Sequence, residues 1–169
     1  LVDGVGVYGG FPTGGGDGTF MARDWKAYPT ILSGDIGIPG DSSDNSYHVI
    51  TAEEVGDSTI LDGFTVTGGN ADGAGGDGYG GGMYSDEANP SLTRVIFKGN
   101  TAASGGGMRN RLGSPTLTDV TFEGNSAHIG AGIRNFRSNP TLTQVTFTGN
   151  VAGYSGGAID NFESSPALS

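Results

Sequence analysis

Two loops in the sequence carry the residue types that bind calcium. Three aspartates and an asparagine, Asp35, Asp41, Asp44 and Asn45, lie within a segment rich in Gly, Pro and Ser. Calcium takes about six to eight oxygen ligands, among them carboxylates and carbonyls, so we predict a calcium site in this loop. A later glycine-rich segment offers Asp72 and Asp77 as a weaker candidate, although Asp and Gly are also common turn residues.

Arginine and phenylalanine residues in the second half of the chain indicate a candidate binding surface. Arg111, Arg134, Phe136 and Phe162 recur at related positions of the repeat described below. If they face outward, the guanidinium and aromatic groups suit stacking against a sugar or a protein. If they face inward, the phenylalanines belong to the core. The sequence leaves both alternatives open.

The composition excludes several classes of protein. Glycine supplies 34 of the 169 residues, which disfavours a helical bundle. The net charge is −10, and such an acidic surface repels phosphate backbones, so we expect no nucleic-acid partner. No stretch approaches the roughly 18 apolar residues of a spanning helix, so we predict no membrane span in this segment.

A repeat of about 25 residues dominates the chain. Copies start at Pro90, Pro115, Pro140 and Pro166, with spacings of 25, 25 and 26 residues, and a divergent copy runs over 61–83. Each copy contains two short strand-like pieces, Leu-Thr-x-Val-Thr-Phe and a glycine-rich piece that ends in Met or Ile. Turn signals such as Gly-Asn and Ser-Pro separate these pieces.

Copies this short must stack, because none can bury its own apolar side. Parallel stacking at about 4.8 Å places equivalent residues in columns, and stacked Asn amides can form hydrogen-bonded ladders. The structural columns pass through Leu117, Val120, Phe122, Asn125, Ile133 and Asn135. The predicted fold class is therefore all-β, a right-handed parallel β-helix (β-solenoid) of roughly six to seven three-sided coils, with roughly 25 residues per coil.

Residues 1–60 depart from the repeat. We expect them to form an N-terminal cap with irregular first coils, followed by regular β-helix coils over residues 61–169 in one continuous domain. The aromatic residues of this region are expected to close the N-terminal end of the stack: Phe11, Phe20, Trp25 and Tyr28. The chain lacks an initiator Met, and Pro166 begins a further copy, so we interpret it as a segment of a longer protein that is truncated at its C-terminus.

Two motifs recur at fixed spacing in the copies. Phe97-Lys98-Gly99-Asn100 and Phe122-Glu123-Gly124-Asn125 resemble the F-x-x-N motif of the chlamydial polymorphic outer-membrane protein repeat. Gly156-Gly157-Ala158-Ile159 resembles the companion G-G-A-[ILV] motif of that family. The resemblance implies a secreted or surface-anchored parallel β-helix protein with an adhesive or structural role. It implies no catalytic residue.

These observations favour an extracellular structural or adhesive segment on the cell surface, which forms a rigid stalk or a self-assembling filament. The expected partners are other protomers stacked end to end, or a surface glycan or protein. The alternatives are a glycan-binding module and a calcium-assisted, pectate-lyase-like enzyme that acts on polysaccharides. Acids are scarce beside the arginines, so the sequence argues against an enzyme without deciding the question. Calcium is the one cofactor that the sequence predicts.

Overall fold

A computed structural model describes residues 1–14 and 19–169, and strands provide nearly all of their regular structure. No helix in this part of the chain is long and apolar enough to cross a membrane. The strands are β1 (Gly6–Tyr8), β2 (Thr30–Ser33), β3 (Ile50–Glu53), β4 (Ile60–Asp62), β5 (Phe64–Thr67), β6 (Asn70–Ala71), β7 (Met83–Asp86), β8 (Ser91–Thr93), β9 (Ile96–Lys98), β10 (Thr101–Ser104), β11 (Met108–Arg111), β12 (Thr116–Thr118), β13 (Thr121–Glu123), β14 (Ser126–Ile129), β15 (Ile133–Phe136), β16 (Thr141–Thr143), β17 (Thr146–Thr148), β18 (Val151–Ser155), β19 (Ile159–Phe162) and β20 (Ala167–Leu168).

The strands form four parallel sheets that run along the molecule. Sheet 1 has the order β1-β4-β8-β12-β16-β20, and sheet 2 has the order β2-β5-β9-β13-β17. Sheet 3 has the order β6-β10-β14-β18, and sheet 4 has the order β3-β7-β11-β15-β19. Every strand pairs with its counterpart one repeat away, in parallel. The predicted all-β parallel solenoid is confirmed.

The coils differ in detail from the prediction. Five coils are present in the described residues, β1–β3, β4–β7, β8–β11, β12–β15 and β16–β19, and β20 begins another. The predicted number of six to seven coils was too high. Each regular coil has four strands, one in each sheet, whereas we predicted coils with three sides. The reason is that the Leu-Thr-x-Val-Thr-Phe piece forms two strands, such as β12 and β13.

Residues in the left-handed backbone region turn the chain at each corner of a coil. In the fourth coil they are Asp119, Gly124, Gly130 and Arg137, with φ values of 55°, 61°, 64° and 51°. Glycine adopts such φ values without a steric penalty. Asp119 and Arg137 adopt them although they carry a Cβ, as do their equivalents in neighbouring coils. The bend that separates β12 from β13 lies at Asp119.

The interior consists of columns of identical or similar side chains. Phe122 is completely buried and stacks between Phe97 and Phe147, with ring centroids 5.0 and 5.2 Å apart. Leu117, Val120 and Ile133 are also completely buried. The glycine-rich piece makes room for the rings, since a Cβ on Gly107 would lie 2.6 Å from the ring of Phe122. The phenylalanine motif therefore requires glycine in the second motif, because any side chain there would clash with the ring.

Asparagine side chains form two hydrogen-bonded ladders inside the solenoid. The Asn100 Nδ2 group donates to Asn125 Oδ1 at 3.1 Å, and Asn125 Nδ2 donates to Asn150 Oδ1 at 2.9 Å. A second ladder passes through Asn135, which accepts from Asn110 and donates to Asn161, each at 2.8 Å. These bonds provide partners for buried amide groups, although Asn110 Oδ1 has no hydrogen-bond partner among the described residues.

Residues 1–60 supply the first coil. Strands β1, β2 and β3 pair in parallel with β4, β5 and β7, so this coil continues three of the sheets. Long connections leave the coil between these strands. The aromatic residues predicted to close the N-terminal end are not among the side chains that pack against the core: Phe11 and Phe20 pack around the Arg23 guanidinium, and Phe20 is 54% exposed. Leu1, Leu32 and Val49 pack against the core instead.

We predict that Phe122→Asp abolishes folding. The substitution places an unpaired carboxylate inside the phenylalanine column, and its cost of several kcal/mol is comparable with a total stability of about 5–15 kcal/mol. Thermal melting followed by circular dichroism measures the effect. Thr146→Asp, on the exposed side of the same sheet, is the matched control and should melt near the wild type. Wild-type melting of Phe122→Asp would contradict the interior position of this ring.

Candidate functional site

The outward side of sheet 4 carries a cluster of charged and aromatic side chains. In β11, Met108 and Asn110 are completely buried and point inward, so Arg109 and Arg111 lie on the opposite side. We call this side the sheet 4 face. The strand register defines its two columns, Thr51-Tyr84-Arg109-Arg134-Asp160 and Glu53-Asp86-Arg111-Phe136-Phe162.

The charges on the sheet 4 face change sign along the solenoid. The first two coils contribute acids, the third and fourth contribute arginines, and the fifth contributes acids again. Neighbouring coils neutralise each other in three ion pairs: Arg111 with Asp86, Arg134 with Asp160, and Arg137 with Glu163. At the acidic end, Glu53, Glu54, Asp86 and Glu87 line a small hollow of about 80 Å³.

A second pair of phenylalanines, Phe136 and Phe162, lies on the outside of the solenoid. Phe136 and Phe162 stack with their ring centroids 5.1 Å apart and their planes 3° from parallel. Phe162 is 44% exposed. The guanidinium groups of Arg137 and Arg134 lie 5.4 and 5.7 Å from the centroids of Phe136 and Phe162. Of the two orientations that the sequence left open, the outward one is present.

Arg109 is the most buried arginine of this face. Arg109 is 9% exposed, and its guanidinium lies 4.0 Å from the ring centroid of Tyr79 and 5.8 Å from that of Phe136. Its Nη1 donates to Ser104 Oγ at 2.8 Å, whereas its buried Nε has no hydrogen-bond partner among the described residues. Burial lowers the pKa of Arg109 below its ordinary value.

The connection between β6 and β7 is longer than the equivalent connection between β10 and β11, and this insertion in the second coil brings Tyr79 over Arg109. This segment contains a 3₁₀ turn at Gly75–Gly78, and Tyr79 then forms a parallel bridge with Ser104. On the other side of Arg109 lies Tyr84, whose hydroxyl donates to Asp86 Oδ2 at 3.3 Å. Burial, together with the nearby charge of Asp86, raises the pKa of Tyr84.

The predicted calcium ligands are engaged in local hydrogen bonds. Asp35 Oδ2 accepts from the Gly40 backbone at 2.9 Å, Asp44 Oδ2 accepts from Ile38 at 2.7 Å, and Asp41 Oδ1 accepts from Ser43. The amide nitrogen of Asn45 donates to the Gly68 carbonyl at 2.7 Å. These bonds hold the loop in shape.

The structure brings the two acidic loops together. Asn70 Nδ2 donates both to the Ser42 carbonyl of the first loop and to Asp72 Oδ2 of the second. Asp77 lies in the 3₁₀ turn that follows. In the described part of the chain, no group of three Asp, Glu or His side chains is arranged to hold a metal ion. Calcium binding stays a prediction.

The fifth coil ends in an open apolar surface. Leu142, Val145, Phe147, Ile159 and Leu168 line a hollow of about 470 Å³. These residues continue the interior columns of the earlier coils. They are less buried than their counterparts only because no coil follows in the described residues.

A buried ion network lies at the corner between sheets 1 and 2. Asp62 Oδ2 is 3.1 Å from Arg23 Nη1, and Asp62 Oδ1 accepts from Arg94 Nε at 2.8 Å. Although burial raises the pKa of Asp62, the hydrogen bonds from Arg94 and Arg23 outweigh it and hold the pKa below its ordinary value. Arg23 also donates to the Gly9 carbonyl at 2.7 Å. The network thereby fastens the long loop after β1 to the second coil.

Sequence reasoning located some of these features and missed others. It identified Arg111, Arg134, Phe136 and Phe162, which share one face. It did not connect Tyr79 with Arg109, because the length of an insertion does not reveal where it folds back. It also did not indicate that Arg94 forms its ion pair with Asp62 of the preceding coil.

Comparisons with protein-family models, with curated proteins and with solved structures found no match to this chain. The parallel repeat architecture therefore rests on the strand pairing itself.

We predict that Asp62→Asn destabilises the protein by about 3–5 kcal/mol, because it leaves the buried Arg23 without its carboxylate. Amide hydrogen exchange should accelerate in residues 19–29. In the wild type, the folded-state pKa of Asp62 lies below the unfolded-state value, so its stabilising contribution is present above the unfolded-state pKa. The contribution is lost as the pH falls through the folded-state pKa.

Glu123→Gln is the control for the Asp62 experiment. It breaks an exposed ion pair with Lys98 and should cost less than about 1 kcal/mol. Equal unfolding free energies for the two variants in urea titrations would contradict a structural role for Asp62.

Proposed function

We propose that this chain is an extracellular structural segment whose solenoid forms a rigid rod and extends by end-to-end stacking with a second copy. The observation that carries the proposal is the open apolar surface of the fifth coil, with its hollow of about 470 Å³. Each interior coil covers an equivalent surface, so another coil of the same kind is the occupant that fits it.

The first coil offers a matching surface for such stacking. In the strand register, Val7 belongs to the leucine column, Leu32 to the phenylalanine column and Ile50 to the Met/Ile column. Stacking a second copy in the same register brings Val7 and Leu32 onto Leu168 and Phe147, whereas Ile50 is already buried and the N-terminal amino group donates to the neighbouring Thr51 carbonyl. The outer strands at both ends also have backbone groups free to pair, and head-to-tail contacts that do not close produce filaments.

Residues 1–87 contain fourteen acidic and two basic residues, for a net charge of −12, while residues 88–169 carry a net charge of +2. This asymmetry favours head-to-tail contacts over contacts between two acidic ends. A secreted or cell-surface location and membership of the chlamydial polymorphic outer-membrane protein repeat family are part of the same proposal. The repeated F-x-x-N and glycine-rich motifs support it, since both contribute to the coil interior.

We predict that Leu168→Asp prevents end-to-end assembly while the protein stays folded. Leu168 is 69% exposed, so a carboxylate costs little in the monomer, but it would be buried without a partner in the stacked form. Sedimentation velocity and negative-stain electron microscopy should show concentration-dependent rods for the wild type and single units for the variant.

The matched control is Val151→Asp, because Val151 is 65% exposed but lies on the side of the solenoid. It should assemble like the wild type. A wild-type protein that stays monomeric at all concentrations, or a Leu168→Asp variant that still forms rods, would contradict the stacking proposal.

A second candidate function is glycan binding at the sheet 4 face. The outer edges of the stacked Phe136 and Phe162 rings lie beside arginines, which gives an aromatic and cationic surface suited to contact with a sugar. This function is compatible with a rod, because the face runs along the solenoid and leaves both ends free.

We predict that Phe162→Ala weakens glycan binding by about 1 kcal/mol, because the more exposed of the two rings is removed. Binding to an oligosaccharide array followed by calorimetry on the positive ligands measures the effect. Tyr154→Ala removes an aromatic ring that is 78% exposed on sheet 3 and should leave binding unchanged. Equal losses in the two variants would argue against the sheet 4 face.

A further inference from the structure

A strip of exposed side chains runs along the corner where the sheet 4 strands end. We call it the corner strip, and it combines the last residue of each strand with the left-handed residue that follows: Glu53-Glu54, Asp86-Glu87, Arg111-Leu112, Phe136-Arg137 and Phe162-Glu163. All of these left-handed residues are exposed, and backbone hydrogen bonds between their coils continue the register of the sheet. Tyr79 covers Arg109 in the other column of the sheet 4 face and leaves the corner strip accessible.

The first two coils of the corner strip bring like charges together. Glu53 and Asp86 are register partners, and Glu54 and Glu87 are the residues that follow them. Of these four acids, only Asp86 has an ion-pair partner within the described residues, namely Arg111. Like charges at neighbouring positions of a sheet are destabilising, and the four carboxylates line the hollow of about 80 Å³. The hollow therefore has the charge to attract a cation from outside the chain.

Arg137, in the fourth coil, is the most exposed arginine in the described residues, with a side chain that is 55% accessible. Its Nε donates to Glu163 at 2.6 Å, whereas its two Nη groups form no hydrogen bond within the described residues. Because a guanidinium presents several N–H donors in a planar fork, the Nη groups can bind a further carboxylate. Arg137 therefore keeps its own partner and still offers donors to a second one.

The order of charges along the corner strip fits a second copy that runs in the opposite direction. Acids occupy the first two coils, and arginines occupy the third and fourth. A two-fold axis parallel to the strands places the first coil of each copy against the fourth coil of the other, and the second against the third. Glu54 then faces Arg137 of the second copy, and symmetry repeats the contact. A parallel arrangement would place acids against acids.

We propose that two copies pair side by side in antiparallel orientation, with Arg137 of each copy inserted into the acidic hollow of the other. The charge difference between the two halves of the chain favours the same orientation, since residues 1–87 carry −12 and residues 88–169 carry +2. Opposite charges across such an interface also fix its register. The net charge of −10 opposes any contact between copies, so the pair is transient for single units.

Side-by-side pairing goes beyond the end-to-end stacking proposed above. The corner strip lies on the side of the solenoid, so each mode of association leaves the surface of the other free. Several strips along two rods act together, and their combined binding exceeds that of a single strip. In a pair of single units the fifth coil has no coil opposite it, so Phe162 stays available on the sheet 4 face.

Cross-linking through a single cysteine tests the pairing. The chain has no cysteine, so Leu112→Cys supplies one thiol per copy on the corner strip. The antiparallel pair brings the two thiols within one coil step of about 4.8 Å along the solenoid, whereas end-to-end neighbours hold them about 24 Å apart. A short bismaleimide should therefore join two copies. Lys98→Cys, exposed on sheet 2 of the same coil, is the matched control and should react much more slowly.

Exchanging the charges assigns the pairing to residues. Arg137→Glu and, separately, Glu54→Arg, each added to Leu112→Cys, should slow cross-linking about tenfold, because the pair loses the contact on both sides. The variant that carries both changes restores the contact with its charges exchanged, so its rate should return toward that of Leu112→Cys alone. Both residues are exposed, and melting curves verify folding. Ser114→Cys, exposed on the same coil, replaces Leu112→Cys if that variant does not fold.

The outcomes distinguish this inference from the stacking proposal. Equal cross-linking at Leu112→Cys and Lys98→Cys would overturn the pairing, since random encounters would then explain it. Cross-linking that the charge variants leave unchanged, or that the combined variant fails to restore, would overturn the contact between Arg137 and the acidic hollow. With Leu168→Asp added, the rods should disappear and the cross-link should persist. Loss of the cross-link there would contradict pairing through the side of the solenoid.

Discussion

The parallel hydrogen bonding between equivalent residues of successive coils is the constraint on which this structure depends. Because each strand of the later coils pairs with its counterpart about 25 residues away, their side chains lie directly against the same positions of the next coil. Apolar positions then form buried columns, amide positions form ladders, and charged positions meet across coils. A substitution at one interior position changes the contacts with the equivalent residues of both neighbouring coils. This explains why Phe and Asn recur in the interior.

Steric fit between the coils is as demanding as the hydrogen bonding. The rings of Phe97, Phe122 and Phe147 fit only because the glycine-rich piece of the preceding or adjacent coil has no Cβ at the contact, as the positions Gly82, Gly107 and Gly132 illustrate. The high glycine content therefore serves two purposes, the close approach of backbones and the turns at the corners. The resulting interior consists of stacked columns of side chains that run through successive coils.

The outside of the solenoid has fewer constraints, and there the coils differ. On the sheet 4 face, acidic, basic and aromatic residues share the same columns, and neighbouring coils neutralise most of the charges. The insertion of the second coil adds a local cover, with Tyr79 over Arg109. A regular scaffold thus carries an irregular surface, and the proposed functions use both parts: the open end for assembly and the sheet 4 face for ligand binding.

The sequence alone determined the parallel solenoid, the columns through Phe122 and Asn125, and the set of residues that shares a column with Phe162, because exact repetition translates directly into stacking. It did not determine the four-strand coil, since Asp119 and Arg137 adopt left-handed backbone conformations that their residue types do not favour. Only the tertiary structure decided that the Phe136 and Phe162 rings face outward, that Arg94 binds Asp62, and that Tyr79 covers Arg109. These contacts depend on non-repeating loops, whose paths are governed by long-range packing and not by the period of the repeat.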